Sequence, residues 1–148
     1  MTKTIHPIAG SIALLTILTF WVSTALSELF ASASVVTTVK TLIPWGFAIL
    51  IPALAAVGIS GFRLTKKRRG PLVDEKRKRM PFIAANGILI LIPSALYLSF
   101  KAQAGAFDMS FYTVQAVELI AGAVNIALLG LNMRDGLRLT GKLSRRSA

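Results

Sequence analysis

Cysteine is absent from this chain, histidine occurs once, and six acidic residues stand against seventeen lysines and arginines. The first absence excludes disulfides, thiolate metal sites and dithiol redox chemistry. A single histidine, His6, rules out a histidine pair for haem or metal within one chain. No Ser-His-Asp nucleophile set, metal-ligand spacing or phosphate loop occurs, so catalysis is not the expectation. Charge is scarce where a soluble domain needs it: 54% of the 148 residues are hydrophobic and mean hydropathy is +0.66. A soluble domain of this length interrupts its apolar runs more often.

What is there instead is four long apolar runs, at about 8–30, 42–62, 80–100 and 111–131. Crossing roughly 30 Å of hydrocarbon takes about 20 helical residues. Lipid offers no hydrogen bonds to the backbone, so each run is expected to be a helix. Within them the formal charges are Glu28, at an end, and Glu118. The expected fold is all-α: one domain, an antiparallel bundle of four transmembrane helices.

A net charge of +11 could suggest nucleic acid, but its distribution suggests lipid. Nine basic residues lie between runs two and three: Arg63, Lys66, Lys67, Arg68, Arg69, Lys76, Arg77, Lys78 and Arg79. With five in the C-terminal tail and Lys3, fifteen fall on one side; Lys40 and Lys101 fall on the other. The positive-inside rule then puts both termini on the cytoplasmic side of the inner membrane. The basic segment reads as a topology determinant in contact with anionic lipid headgroups, or more sharply as a docking site for a partner. It is broken by Gly70-Pro71 and carries Asp74 and Glu75. Lys3, the first apolar run and Ala31-Ser32-Ala33 resemble a signal peptide, but that run exceeds the usual 7–15 apolar residues and reads better as a span.

The outer connections, 31–41 and 101–110, are short, and Asp108 or Ser110 suits the start of span four. Glu28 is expected to be solvated at the outer end of span one. Trp45 suits the membrane interface, whereas Trp21 suits packing. The small-residue spacings Ala56-x-x-x-Ser60 and Ala123-x-x-x-Ala127 permit close helix contact.

Span four is the most informative. Gln115, Glu118, Gly122, Asn125, Leu129 and Asn132 recur at 3-4-3-4-3 spacing, one helix face with four polar members. That face is expected to look into the bundle, with Val117, Ile120, Val124 and Leu128 toward lipid. Glu118 lies about 10 Å below the outer end of its span. Ser23, Thr24 and Ser94 share its depth, and Pro52 frees the carbonyl of Ala48 nearby. Pro93 likewise frees that of Leu89. No lysine or arginine is expected at that depth. Glu118 is therefore either a proton or cation site or a hydrogen-bonded acid that ties helices together. Asn86 and Asn125 match in depth and form a candidate interhelical pair worth about 1 kcal/mol.

His6 precedes Pro7 at the inner end of span one, at the level of Met80 and Met133. It reads first as an interfacial polar residue, then as an axial ligand of haem b with Met80 or Met133, then as a protonation switch. Asn132, Arg134 and Asp135 lie near it, with Arg134-Asp135-Gly136 reading as a helix end.

The four-span layout, with short outer loops and a basic inner loop, resembles small membrane subunits of redox complexes and b561-type cytochromes. It is also similar to small four-helix transporters that work as oligomers. These resemblances cover topology alone, and the cytochromes' histidine pairs are missing. The leading expectation is a subunit or accessory of a larger membrane assembly, with anionic lipid and a second copy or another membrane protein as partners and no nucleic acid. The alternatives are an oligomeric transporter or channel using Glu118, and a haem b protein using His6.

Overall fold

The computed structural model describes residues 2–65 and 70–141, and every regular element among them is helical. Helix α1 runs Thr2–Phe30, α2 Ala33–Thr65, α3 Pro71–Asn86, α4 Ile92–Gln103 and α5 Met109–Leu139. A wide π turn, Gly87–Leu91, joins α3 to α4, so the third span is continuous over Pro71–Gln103. The π turn comes just before Pro93. A proline there has no N–H for the carbonyl four residues back and its ring crowds that carbonyl; the wider turn, with Ile92 N–H donating to the Gly87 carbonyl, relieves both problems.

Four helices are long and apolar enough to cross a membrane: Thr4–Phe30, Ala33–Leu64, Pro71–Gln103 and Met109–Leu139. Each is longer than the run read from hydropathy. Between α1 and α2 only Ala31 and Ser32 lie outside helices, so the expected 31–41 loop is mostly the first turns of α2. Thr37, Thr38 and Thr41 each donate to the carbonyl four residues back, at 2.9, 2.9 and 2.7 Å, which keeps polar hydroxyls satisfied within the helix. With 33 residues, α2 is about 50 Å long and outreaches the hydrocarbon layer. At the inner side, the expected loop is helical from Pro71 onward, and Arg63 lies in the last turn of α2. Lys66, Lys67, Arg68 and Arg69 lie outside the described residues.

The outer turn between α4 and α5 is built by its own polar groups. Gly105 takes φ +67°, a conformation costly for a side chain, and lets Ala106 N–H reach the Lys101 carbonyl at 2.9 Å. Of the two candidate caps, Asp108 performs the role, accepting from Phe111 N–H at 3.0 Å.

Around the bundle each helix packs on two neighbours: α1 on α2 and α5, and the third span on α2 and α5. The diagonal pairs, α1 with the third span and α2 with α5, have no backbone neighbours among the described residues. Two apolar clusters fill the centre. Ala13, Ile17, Leu50, Ala53, Ile83 and Leu129 form the inner one; Val36, Leu98, Ala102 and Phe111 form the outer. The polar face of α5 does turn inward, with Gln115, Gly122, Asn125, Leu129 and Asn132 all buried, while Val117 and Ile120 are exposed.

Candidate functional site: an interhelical cavity with charged ends

The α2 helix packs on α4 but barely meets α3, so the two spans part toward the inner side. The gap opens a cavity of about 900 Å³. It follows α1 from His6 to Thr24, about 27 Å at helical rise. Its walls are apolar side chains, among them Phe20, Phe47, Leu54, Met80 and Leu91. Ile51 and Ile88 line it and are also 50% and 63% exposed, so the cavity opens sideways between α2 and the third span, toward lipid. Polar groups mark its ends: Glu118 at the outer one; His6, Lys76 and Arg77 at the inner one.

At the outer end, Lys40 Nζ lies 2.7 Å from Glu118 Oε2 across the α2–α5 diagonal, and the lysine side chain is 1% exposed. Gln115 Nε2 donates to the same oxygen at 3.3 Å. This corrects the expectation that no basic residue reaches Glu118. Lys40 is not in a loop. It continues the inward stripe Val36, Ile43, Phe47, Leu50, Leu54, Val57 at alternating spacings of three and four, a signal that hydropathy alone hides. Ala48 takes no hydrogen bond from Glu118 and lies on the exposed face of α2. Nor is Glu28 simply solvated: its Oε1 is buried without a hydrogen-bond partner. Ser23 bonds back to its own helix, to the Thr19 carbonyl at 2.7 Å, and Ser94 is buried without lining the cavity, so neither joins the site.

Midway, Asn86 Nδ2 donates to Asn125 Oδ1 at 2.8 Å and to the Ala121 carbonyl at 2.9 Å. Asn125 Nδ2 reaches the Ile83 carbonyl at 3.4 Å. Trp21 crosses from α1, its Nε1 donating to the Leu119 carbonyl at 2.8 Å.

At the inner end, Ser60 Oγ sits against the Ala56 carbonyl and 2.9 Å from His6 Nδ1. A serine has one hydrogen to give. The carbonyl takes it, so His6 must donate through Nδ1, leaving the Nε2 lone pair free to accept. Lys76 Nζ faces Nε2 at 3.3 Å. Met80 lines the cavity, but its sulfur accepts from Asn132 Nδ2 at 3.4 Å. Met133 is 43% exposed, one residue and about 100° around α5 from the inward Asn132. His6 and Met80 thus share the cavity wall while Met133 does not join them, and α1 and the third span meet there through side chains, not as backbone neighbours.

The inner basic residues divide. Arg63, Arg77 and Lys78 are exposed, as headgroup contact requires. Arg79 instead turns inward, with Nη1 2.7 Å from Asp135 Oδ2 and Nη2 2.7 Å from Glu75. Asp135 is 1% exposed and also meets Arg134 at 3.4 Å. The helix does not end at Arg134-Asp135-Gly136 but continues to Leu139, because Asp135 is paired across helices rather than capping. No group of three His, Asp or Glu able to hold a metal occurs among the described residues. No family model matches the chain, nor does any curated protein or solved structure.

Proposed function

We propose that this chain is an inner-membrane protein, with both termini cytoplasmic, that takes a membrane-dissolved amphiphile into its bundle. The observation that carries this reading is the cavity: long, apolar, open sideways toward lipid and bounded by charged groups at both ends. Its volume is at the upper end of the roughly 300–1,000 Å³ of small-molecule sites. A ligand dissolved in the bilayer can enter such a cavity between α2 and the third span without leaving hydrocarbon.

The alternatives gain less. A proton or cation at Glu118 must share that carboxylate with Lys40. Haem on His6 must displace Lys76 from Nε2. The accessory-subunit expectation rests on size and loop length and gains no observation from the fold.

The chain's two tryptophans provide the test. Trp21 lines the cavity, whereas Trp45 is 78% exposed on the outside. Trp45→Phe and Trp21→Phe each leave one reporter. In vesicles, a brominated single-chain amphiphile at low mole fraction should quench Trp21 more strongly than Trp45. Stronger quenching of Trp45 means ordinary lipid contact and sinks the reading. A Soret band in the purified protein that disappears with His6→Ala would replace it with haem.

A further inference from the structure

The two ends of the cavity differ in what they offer a ligand. At the outer end the charges are engaged with each other: Lys40 is buried against Glu118, and Gln115 donates to the same carboxylate. At the inner end the counter-charge of Lys76, Asp135 on the facing helix, acts only beyond ion-pair distance. Among the described residues its Nζ makes one hydrogen bond, to His6 Nε2, and no ion pair. An ammonium has three hydrogens to donate. The carboxylate on the facing helix, Asp135, is held by Arg79 at 2.7 Å and Arg134 at 3.4 Å. Lys76 Nζ stands over Gly136, where a Cβ would come within 3.4 Å, so α5 leaves room for the ammonium at that position. Arg77 lines the same mouth and adds a second positive charge.

We propose that this inner mouth is a site for a compact anionic headgroup, with Lys76 as its direct ligand and His6 as the residue that positions Lys76. The inference rests on the amphiphile reading and makes it specific: the ligand is a single-chain amphiphile with a negatively charged head, oriented head inward and tail toward Glu118. The chemistry runs through the hydrogen bonds already described. Ser60 gives its hydrogen to the Ala56 carbonyl and accepts from His6 Nδ1. His6 Nε2 then accepts from Lys76, which fixes the ammonium at the mouth with two hydrogens left for an anion. Charge-assisted hydrogen bonds of this kind are about twice as strong as neutral ones. Reversing the ligand would set its anion beside Glu118.

The experiment uses the full chain carrying Trp45→Phe, in vesicles of neutral lipid, with Trp21 quenching as the readout. The probes are a brominated long-chain alkyl sulfate, which stays ionised, and its parent brominated alcohol. The sulfate is expected to bind about tenfold more tightly than the alcohol. Lys76→Gln should bring sulfate binding down to that of the alcohol, and persisting Trp21 quenching by the alcohol shows that the variant is folded. His6→Ala should weaken sulfate binding severalfold, and His6→Gln, whose amide oxygen can accept from Lys76, should recover part of it. Equal binding of sulfate and alcohol by the unsubstituted site overturns the headgroup inference while leaving the cavity reading intact. A sulfate preference that survives Lys76→Gln overturns Lys76 as the ligand. Quenching of Trp21 by neither probe removes the cavity reading itself.

Discussion

Lys40 and Glu118 meet across the diagonal of the bundle, Nζ to Oε2 at 2.7 Å, on two helices whose backbones do not touch each other among the described residues. The pair ties α2 to α5. Its Glu118 also lines the outer end of a cavity whose inner end is basic.

Removing one member of a buried pair leaves the other charge unpaired, which costs about 3–5 kcal/mol, whereas replacing both with apolar side chains is often neutral. Lys40→Met and Glu118→Leu should each lower the unfolding midpoint in detergent sharply. The double variant should regain more than half of the loss. If the single losses simply add in the double variant, the two side chains are not partners.

How much of this was legible in the sequence depended on whether the signal was local. The four spans and the inward face of α5 follow from hydropathy and 3.6-residue periodicity, and the Asn86–Asn125 pair from matching depth. Lys40 was not legible by charge counting, because a lysine in a hydroxyl-rich stretch resembles a loop; only its register with Val36, Ile43 and Phe47 marks it as inward. Met133 shows the converse error. Level along the membrane says nothing of rotation about the helix, and one residue's step turns it outward. The cavity was invisible because it comes from α2 and α3 parting, a packing relation with no local sequence signal.

The cap on α5 makes a pH prediction. Lys101 chiefly, then Ser110 and the Phe111 N–H, hold the Asp108 carboxyl well below its ordinary 3.8. A depressed value means that the ionised form stabilises the fold. The contribution is present in full above the ordinary value and is lost as pH falls below it through the folded value. Asp108→Asn should therefore lower the midpoint slightly at neutral pH, and the gap to the unsubstituted protein should close under strong acid. A gap that widens on acidification contradicts the capping role.

The chain's lack of cysteine makes orientation directly measurable. Ala104→Cys lies in the outer turn and Lys78→Cys on the exposed side of α3, both at exposed positions. A membrane-impermeant thiol reagent added outside intact cells should label the first and spare the second until the membrane is broken. The opposite pattern would put the basic inner segment outside and invert the topology.

The last prediction joins packing to the cavity. Gly122 leaves space for Trp21: a Cβ there would stand 2.9 Å from Trp21 Cδ1, closer than real contacts allow. The indole has little freedom to retreat, because its Nε1 is tied to the Leu119 carbonyl at 2.8 Å. Gly122→Ala must then either break that bond or push α1 away from α5. Overpacking of this kind costs about 1–3 kcal/mol. In the Trp45→Phe background the Trp21 emission should shift and the unfolding midpoint should fall. Because Trp21 and Gly122 both line the cavity, amphiphile quenching should weaken as well, while the Lys40–Glu118 pair stays intact. An unchanged emission spectrum would show that the indole is not held against α5, and its value as a reporter of the cavity would go with it.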